Sequence, residues 1–398
     1  MREKFFSYLH NIELSEIVKI AEKSRVVEKD FETKTHEKII HFDRGETDQN
    51  VPSEIVEDIK LALDFGKTKY PKSGGEPLFK NVLKEKVKSR NGIKNITVDD
   101  IIVTCGAQEA MCLAFELFTN RTGAGFSPIY SLVLENFVPY CNQRFIEVPL
   151  NEDFSINFIL LEETLKNVDF FYLNTPHNPT GKVFSKNELT QILELCKKYN
   201  VFIISDEAYE DFIYDGKKHI SIASLPESED YYDIISIYTF SKSFAGTGLR
   251  VGYAVTKNKV AIKIMNGAQY THTAGIPTFL QHGLLNSYKV DISKIVHEFQ
   301  RRRDVLYNGL FNIEGVNIVK PEGAFYMYPD FSGIQKRFGN NDKKHVFKIL
   351  LENGICTVPG TAFTKSGYFE NNIRFSYSAA DIDQIKVGIE RINRLFNT

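Results

Sequence analysis

Residues 239–250, "TFSKSFAGTGLR", set one lysine between two serines and end on an arginine. The hydroxyls of Thr239, Ser241 and Ser243 and the cations of Lys242 and Arg250 share one loop. That suits an anion that must be gripped and an amine that must react. The apolar run "IISIY" leads straight into this loop, so a solvated surface lysine explains Lys242 poorly. Three more apolar runs end in residues of similar promise. After "DIIVT", Gly106 turns the chain and Ala107 and Gln108 open a helix whose free N–H groups would seat a phosphate. Taken alone, that piece reads equally well as an ordinary strand-to-helix turn. In "TPHNPTG", two prolines and a glycine hold Asn178 rigidly, its amide available to a ligand oxygen. In "VFIISDEAYEDF", Asp206 closes an apolar strand with Tyr209 one helical turn beyond. A carboxylate there is costly unless paired, the plainer reading being a helix cap with Tyr209 as packing.

One ligand would use all of these at once, having an anionic end, a ring nitrogen that wants a carboxylate, a phenolic oxygen and an aldehyde. Pyridoxal 5'-phosphate has those four parts. Asp206 would keep its ring nitrogen protonated, so that the ring can take up the electron pair released at a substrate α-carbon. Lys242 would condense with the aldehyde and, once displaced by an incoming amine, carry a proton as base and then acid. Neighbouring positive charge is expected to depress the lysine's pKa.

The elements that must position these residues are legible as short apolar runs alternating with helical stretches between about 100 and 260. "DIIVTC", "RFIEVPL", "DFFYLNTP", "VFIISDE", "IISIYTF" and "LRVGYAVT" are continuous rather than alternating, the mark of strands covered on both faces. "AQEAMCLAFELF", "NELTQILELCKKYN" and "NKVAIKIMNGAQY" read as helices, the second opened by a Ser185/Glu188 capping box. After residue 286 the texture becomes α+β. The long helix "DISKIVHEFQRRRDVLYNGL" precedes strands "VNIVKP", "AFYMYPDF", "GICTVPG" and "IRFSYS" and helices "DKKHVFKILLEN" and "DIDQIKVGIERINRLF". The expected organisation is an amino-terminal segment 1–45 joining the small domain, a large domain 46–286 and a small domain 287–398. In open parallel sheets ligands sit at the carboxyl ends of the strands, where the chemistry-bearing residues fall.

The motifs together resemble those of fold type I pyridoxal-phosphate enzymes, specifically the class I/II aminotransferases of the aspartate aminotransferase superfamily. The resemblance runs through nearly the whole chain. "HFDRGETDQN" is similar to the segment that lines the substrate pocket, here at Gly45, and "KYPKSGGEPLF" to the stretch whose tyrosine, Tyr70, would reach the phosphate of a neighbouring subunit's cofactor. "CGAQEA" matches the phosphate turn, and "SPIYSLV" the segment whose aromatic, Tyr130, stacks on the ring. By the same comparison Asn178 and Tyr209 bind the ring oxygen, Asp206 the ring nitrogen, Thr239, Ser241 and Arg250 the phosphate, and Lys242 the aldehyde. "NNIRFSYS" resembles the strand whose arginine, Arg374, pairs with the substrate α-carboxylate. The implied fold is α/β: a three-layer large domain with a mainly parallel sheet, plus a smaller α+β domain. The implied activity is transfer of an amino group from an L-amino acid to a 2-oxo acid, with 2-oxoglutarate as acceptor, by ping-pong chemistry in a homodimer with composite sites. The same constellation also supports elimination, decarboxylation, replacement or oxidation at the α-carbon.

This sequence departs from the family pattern in Thr239, where serine or glycine is commoner, in Gly246, and in the absence of tryptophan. "NRTGAGFSPIY" lacks the Val/Ile/Leu-rich strand that usually precedes the stacking residue. No second arginine can be assigned to a side-chain carboxylate, so aspartate specificity is not implied. A dinucleotide site is a poor reading of "GTGLRVG", because a strand-like segment rather than a helix follows the glycines. A transcriptional effector domain is a poor one too, since about 40 residues before Gly45 leave no room for a winged helix. With 49 basic against 51 acidic residues and a net charge of -2, nothing advertises nucleic acid or acidic lipid as partner. Five cysteines form no Cys-x-x-Cys pair, and the histidines no cluster at ligand spacing. Free, buried, cytoplasmic thiols are expected, with no disulfide framework and no metal. The opening "MREKFFSYLHNIELSEI" lacks an export signal's apolar stretch, and no segment reaches a membrane span.

Overall fold

The computed structural model describes residues 12, 14–339 and 342–396, and the opening stretch read for an export signal lies largely outside them. Among the described residues, twelve strands form three sheets. The amino-terminal β1 (Ile40–His41) follows a helix, Glu16–Thr35, that sequence reading did not pick out. The large sheet comprises β2 (Ile101–Thr104), β3 (Thr122–Ser127), β4 (Arg144–Pro149), β5 (Phe170–Asn174), β6 (Phe202–Asp206), β7 (Ile234–Thr239) and β8 (Gly252–Val255). Their spatial order is β2-β8-β7-β6-β5-β3-β4. Only β8 runs antiparallel to its neighbours. Strands β5, β6 and β7 are buried at every position, which is why their runs are apolar without alternation.

The helices between them form where expected. Lys186–Tyr199 starts at Ser185, whose capping box with Glu188 is complete, and ends at Asn200 in the left-handed conformation. Gly106–Glu116 and Lys259–Thr273 match the other two readings. Strand β3 is the addition. Its sequence, "TGAGFS", has few strand-forming residues, and Phe170, paired with Gly123, lies over it. A Cβ at Gly123 would meet Phe170 Cζ at 2.2 Å. Phe115, Phe118 and Phe145 surround the same ring, so the missing side chain is supplied by a neighbour.

Beyond residue 286 the long helix is Ser293–Phe311, and β9 (Tyr326–Met327), β10 (Ile355–Cys356), β11 (Val358–Pro359) and β12 (Ile373–Ser376) follow. β11-β12-β9 form an antiparallel sheet, and β10 pairs in parallel with β1. The expected strand "VNIVKP" is corrected to a single bridge, Asn317 to Asp330. Pro321 and Pro329 lack the N–H groups that would extend a ladder there. Pro329 also limits β9, which ends at Met327.

One apolar cluster runs from Ile20 through Phe171 and Ile203 to Ile385 and Phe396, joining carboxyl-terminal elements to one face of the large sheet. Two smaller clusters pack elsewhere, one around Ile102, Phe115 and Ile237, the other around Phe79, Tyr238 and Tyr253. The cysteines are all free, but only Cys141, Cys196 and Cys356 are buried, Cys105 and Cys112 being half-buried. No helix among the described residues is long and apolar enough to cross a membrane.

Candidate active site

The parallel strands all deliver their carboxyl ends to one edge of the sheet, and β8, reversed, begins there. Thr104, Ser127, Asn174, Asp206 and Thr239 therefore end strands on the side where Gly252 starts one. A cavity of about 130 Å³ opens at this edge, lined by Ala107, Gln108, Tyr130, Asn178, Asp206, Tyr209, Thr239, Ser241, Lys242 and Arg250. Those ten were singled out from sequence; Met111, Phe137, Ala208 and Thr247, which also line the cavity, were not.

Lys242 occupies the four-residue helix Phe240–Ser243, capped by Thr239 Oγ1, which accepts from Ser241 N at 3.1 Å. Its Nζ donates to the Gly45 carbonyl at 2.6 Å and lies 5.6 Å from the ring centres of both Tyr209 and Phe325. The amine's pKa falls to about 8, chiefly because burial disfavours the charged form, with Arg374 and Arg250 adding to it. The expected depression is present, but desolvation rather than nearby charge leads it.

Asp206 is 5% exposed. Tyr172 Oη donates to its Oδ2 at 2.9 Å and the Ala208 amide to its Oδ1 at 3.2 Å. Burial outweighs both and lifts the carboxyl to about 6. Tyr209 Oη meets Tyr326 Oη at 2.9 Å and Asn178 Nδ2 at 3.5 Å. Asn174 braces the pair: its Oδ1 accepts from Asn178 N at 2.7 Å and its Nδ2 donates to the Asp206 carbonyl at 3.0 Å.

At the opposite end, helix Gly106–Glu116 starts without a side-chain cap, leaving its first N–H groups facing the cavity wall formed by Ala107 and Gln108. Gly106 has φ +71°, and a Cβ there would lie 3.0 Å from Arg250 Nη2. Glycine thus lets the guanidinium rest against the helix start. "GTGLRVG" folds as a short turn running into β8, with no helix after it, which removes the dinucleotide geometry.

Arg374, on β12, is 2% exposed. Its Nη2 donates to the Asp43 carbonyl at 2.8 Å and its Nη1 to Asn178 Oδ1 at 3.3 Å, while Nε has no partner. The guanidinium lies over the Tyr326 and Phe363 rings at 4.5 and 5.1 Å. Among the described residues no carboxylate pairs with it, so a buried cation awaits an anion. Gly45 enters through its carbonyl alone. Tyr70 does not join the cavity: it is 91% exposed on the surface of this chain.

Sequence reading missed Tyr172, Asn174 and Tyr326. Period-two counting along "FFYLN" puts Tyr172 and Asn174 on one face of β5, beside Asp206, and was the available signal. Tyr326 had none, because it arrives from a distant strand. The donor set fits pyridoxal 5'-phosphate: a desolvated amine, a carboxyl lacking a cationic partner, a phenol–amide pair, and an uncapped helix start with an arginine beside it.

Comparison with known proteins is concordant. The family model for aminotransferases of class I and II matches residues 37–392. A probable aspartate aminotransferase of Methanocaldococcus jannaschii is 35% identical, covering 90% of this chain and 93% of that protein. A probable aspartate/prephenate aminotransferase of Aquifex aeolicus is 34% identical, with 89% and 90% covered. The structure of Thermus thermophilus aspartate aminotransferase with maleate superposes with a TM-score of 0.88 at 26% identity, over 98% of this chain and 99% of that one.

Proposed function

The chain belongs to the class I and II aminotransferase family and is a pyridoxal-phosphate-dependent transaminase; from that premise we propose the acceptor, the kinetic scheme and the residues that carry the reaction. It takes the amino group of an L-amino acid and passes it to 2-oxoglutarate in two half-reactions that share one site. The observation that carries this reading is Arg374, a buried guanidinium with an unpartnered Nε and no carboxylate of its own. An α-carboxylate common to donor and acceptor would complete it with a two-pronged pair.

When bound, the cofactor supplies the electron sink that lets a proton leave the substrate α-carbon. The protein's part is to hold and move charge around it. Ala107, Gln108, Ser241, Thr239 and Arg250 would hold the phosphate, the helix start contributing N–H donors and dipole. Asp206 would face the ring nitrogen, trading solvation lost on burial for a cationic partner, while Tyr172 fixes its second oxygen. Asn178 and Tyr209 would hold the ring oxygen, and Tyr130 would cover the ring. Lys242 would hold the aldehyde and then shuttle the α-proton. An amine titrating near 8 is partly neutral at physiological pH and can accept that proton. Tyr209 and Phe325 flank Nζ and limit water around it.

We further propose a homodimer in the cytoplasm. Tyr70, exposed here, would complete the phosphate seat of a second subunit, and free thiols suit a reducing compartment. The test is a donor screen that begins with aspartate, the amino acid in the relatives' names, and extends to the common amino acids with 2-oxoglutarate. Glutamate formation with parallel initial-rate lines is expected, together with the cofactor's mass on the Lys242 peptide after borohydride reduction. No glutamate from any donor, or the mass on another peptide, overturns the proposal.

A further inference from the structure

Outside the cleft, strands β1 and β10 bring together side chains that are 315 positions apart in sequence. His41 and Cys356 are direct register partners of this parallel pair, and Asp43, two residues after His41, returns to the same face. One His41 ring nitrogen, an Asp43 oxygen and Cys356 Sγ all lie within 4.8 Å of one another. Asp43 and Cys356 are 3% and 0% exposed, and His41 opens toward solvent at the edge. His41 Nδ1 is 3.0 Å from Asp43 Oδ1, while its other nitrogen, Nε2, is 3.3 Å from Glu28 Oε1.

From this geometry we propose a binding site for a thiophilic divalent cation, Zn²⁺ by preference, formed by His41 Nδ1, Asp43 and Cys356 Sγ. One nitrogen, one oxygen and one sulfur donor is a set that zinc accepts and that magnesium or calcium does not. Ligand atoms around zinc stand about 3 to 4 Å apart, so a rotamer change of roughly 1 Å closes the set. Glu28 then plays the outer-shell part that a metal-bound histidine usually has, accepting the remaining ring N–H. Arg44, whose Nη2 also lies 3.1 Å from Nε2, is exposed and can turn toward Glu28. On binding, the Cys356 S–H bond breaks and its proton leaves to solvent, while Sγ, the carboxylate and the imidazole each donate an electron pair to the ion. The carboxylate and thiolate together balance its charge. Sequence spacing gave no sign of this site, because the ligands meet only through strand pairing. The Asp43 carbonyl holds Arg374, so the ion would brace the carboxylate-binding arginine from behind.

The test uses holoenzyme stripped with a chelator and titrated with Zn²⁺ against a chromophoric competitor. The expected result is one ion per chain, with affinity lowered at least tenfold in Cys356→Ser and in His41→Gln and about tenfold in Glu28→Gln. Co²⁺ should give visible thiolate-ligated bands in the wild type and none in Cys356→Ser. Zinc should raise the melting midpoint of the wild type more than that of any variant at the same concentration. If Cys356→Ser proves unstable, His41→Gln at the strand edge carries the same comparison. A wild type that takes up no ion, or variants that keep wild-type affinity, overturns the proposal whatever the activity assays show.

Discussion

Arg303 and Arg374 are both sealed from water, and they are treated in opposite ways. Arg303 is 0% exposed and donates to both oxygens of Asp215 at 2.7 and 2.9 Å, to the Pro321 carbonyl at 2.9 Å and to Asp304 at 3.0 Å. Arg374 has a carbonyl, an amide oxygen, two aromatic rings and an empty Nε. The same split runs through the molecule. In the frame, Lys86, 11% exposed, is paired with Glu210, and Glu207 with His219, Ser205 and Ser221. In the cleft, Lys242, Arg374 and Asp206 have neutral partners only. Buried charge that the chain itself neutralises is structure, whereas buried charge left open is the outline of a ligand.

That contrast can be broken by substitutions that should separate activity from stability. Lys242→Ala should lower turnover by at least about 10⁴-fold, since it would remove both the proposed aldehyde anchor and the proposed proton carrier. Thermal melting of the cofactor-free variant should not fall, because a desolvated amine has gone. A large drop in melting midpoint would move Lys242 to the frame. Arg374→Met should lower kcat/KM for amino donors by roughly 10²–10³-fold, the range for losing one member of a buried charge-assisted pair, again without loss of stability. Arg303→Met should do the reverse. Denaturant titration should show a loss of about 2–3 kcal/mol, less than for a fully enclosed pair because Asp215 is 44% exposed, while turnover per folded molecule stays the same.

The fourth probe is pH. His177, buried and bonded through Nδ1 to Thr180 Oγ1 at 2.8 Å, is held down to about 3 by burial and by Lys182. Its contribution is fully present above the unfolded value of 6.5. As pH falls the unfolded chain takes up a proton that the native one refuses, so stability declines between 6.5 and 3, by about 2 kcal/mol at pH 5. His177→Asn should flatten that slope in melts run across the range. Smallest is Tyr172→Phe, which removes one donor to Asp206 and should raise its carboxyl above the present value of about 6. A shift in the acid limb of the pH–rate profile and roughly tenfold weaker catalysis are expected. An unmoved limb would make Tyr172 mere packing.

Much of this was legible in the chain. All six apolar runs in the large domain became strands, the central parallel ones because strands buried on both faces must be apolar throughout, and β6 and β7 end in residues that sequence reading singled out, Asp206 and Thr239. What escaped did so for physical reasons. Strand β3 borrows its bulk from Phe170, so its own letters carry little β signal. "VNIVKP" has the letters of a strand, but prolines on both sides interrupt its hydrogen bonds. Tyr326 reaches Tyr209 across 117 positions, and the metal ligands meet by register, neither of which a one-dimensional pattern records. Lys242's pKa was right in direction, but burial, which no linear reading measures, supplies most of it.

The pairing of Thr239 with Gly252 makes one rung of the ladder serve as both exit and entrance for the reactive loop. Residues 240–251 therefore form a stitched excursion whose two ends stay fixed by the sheet. Closing so short a circuit takes well under a microsecond, whereas the Arg374–Asp43 contact must span 331 positions. The loop that carries the amine can thus close locally, whereas the Gly45 carbonyl that Nζ reaches lies 197 positions away and must come in from a distant segment. The twelve-residue excursion is also a natural cassette, one that could be exchanged with a relative's without redrawing the scaffold beneath.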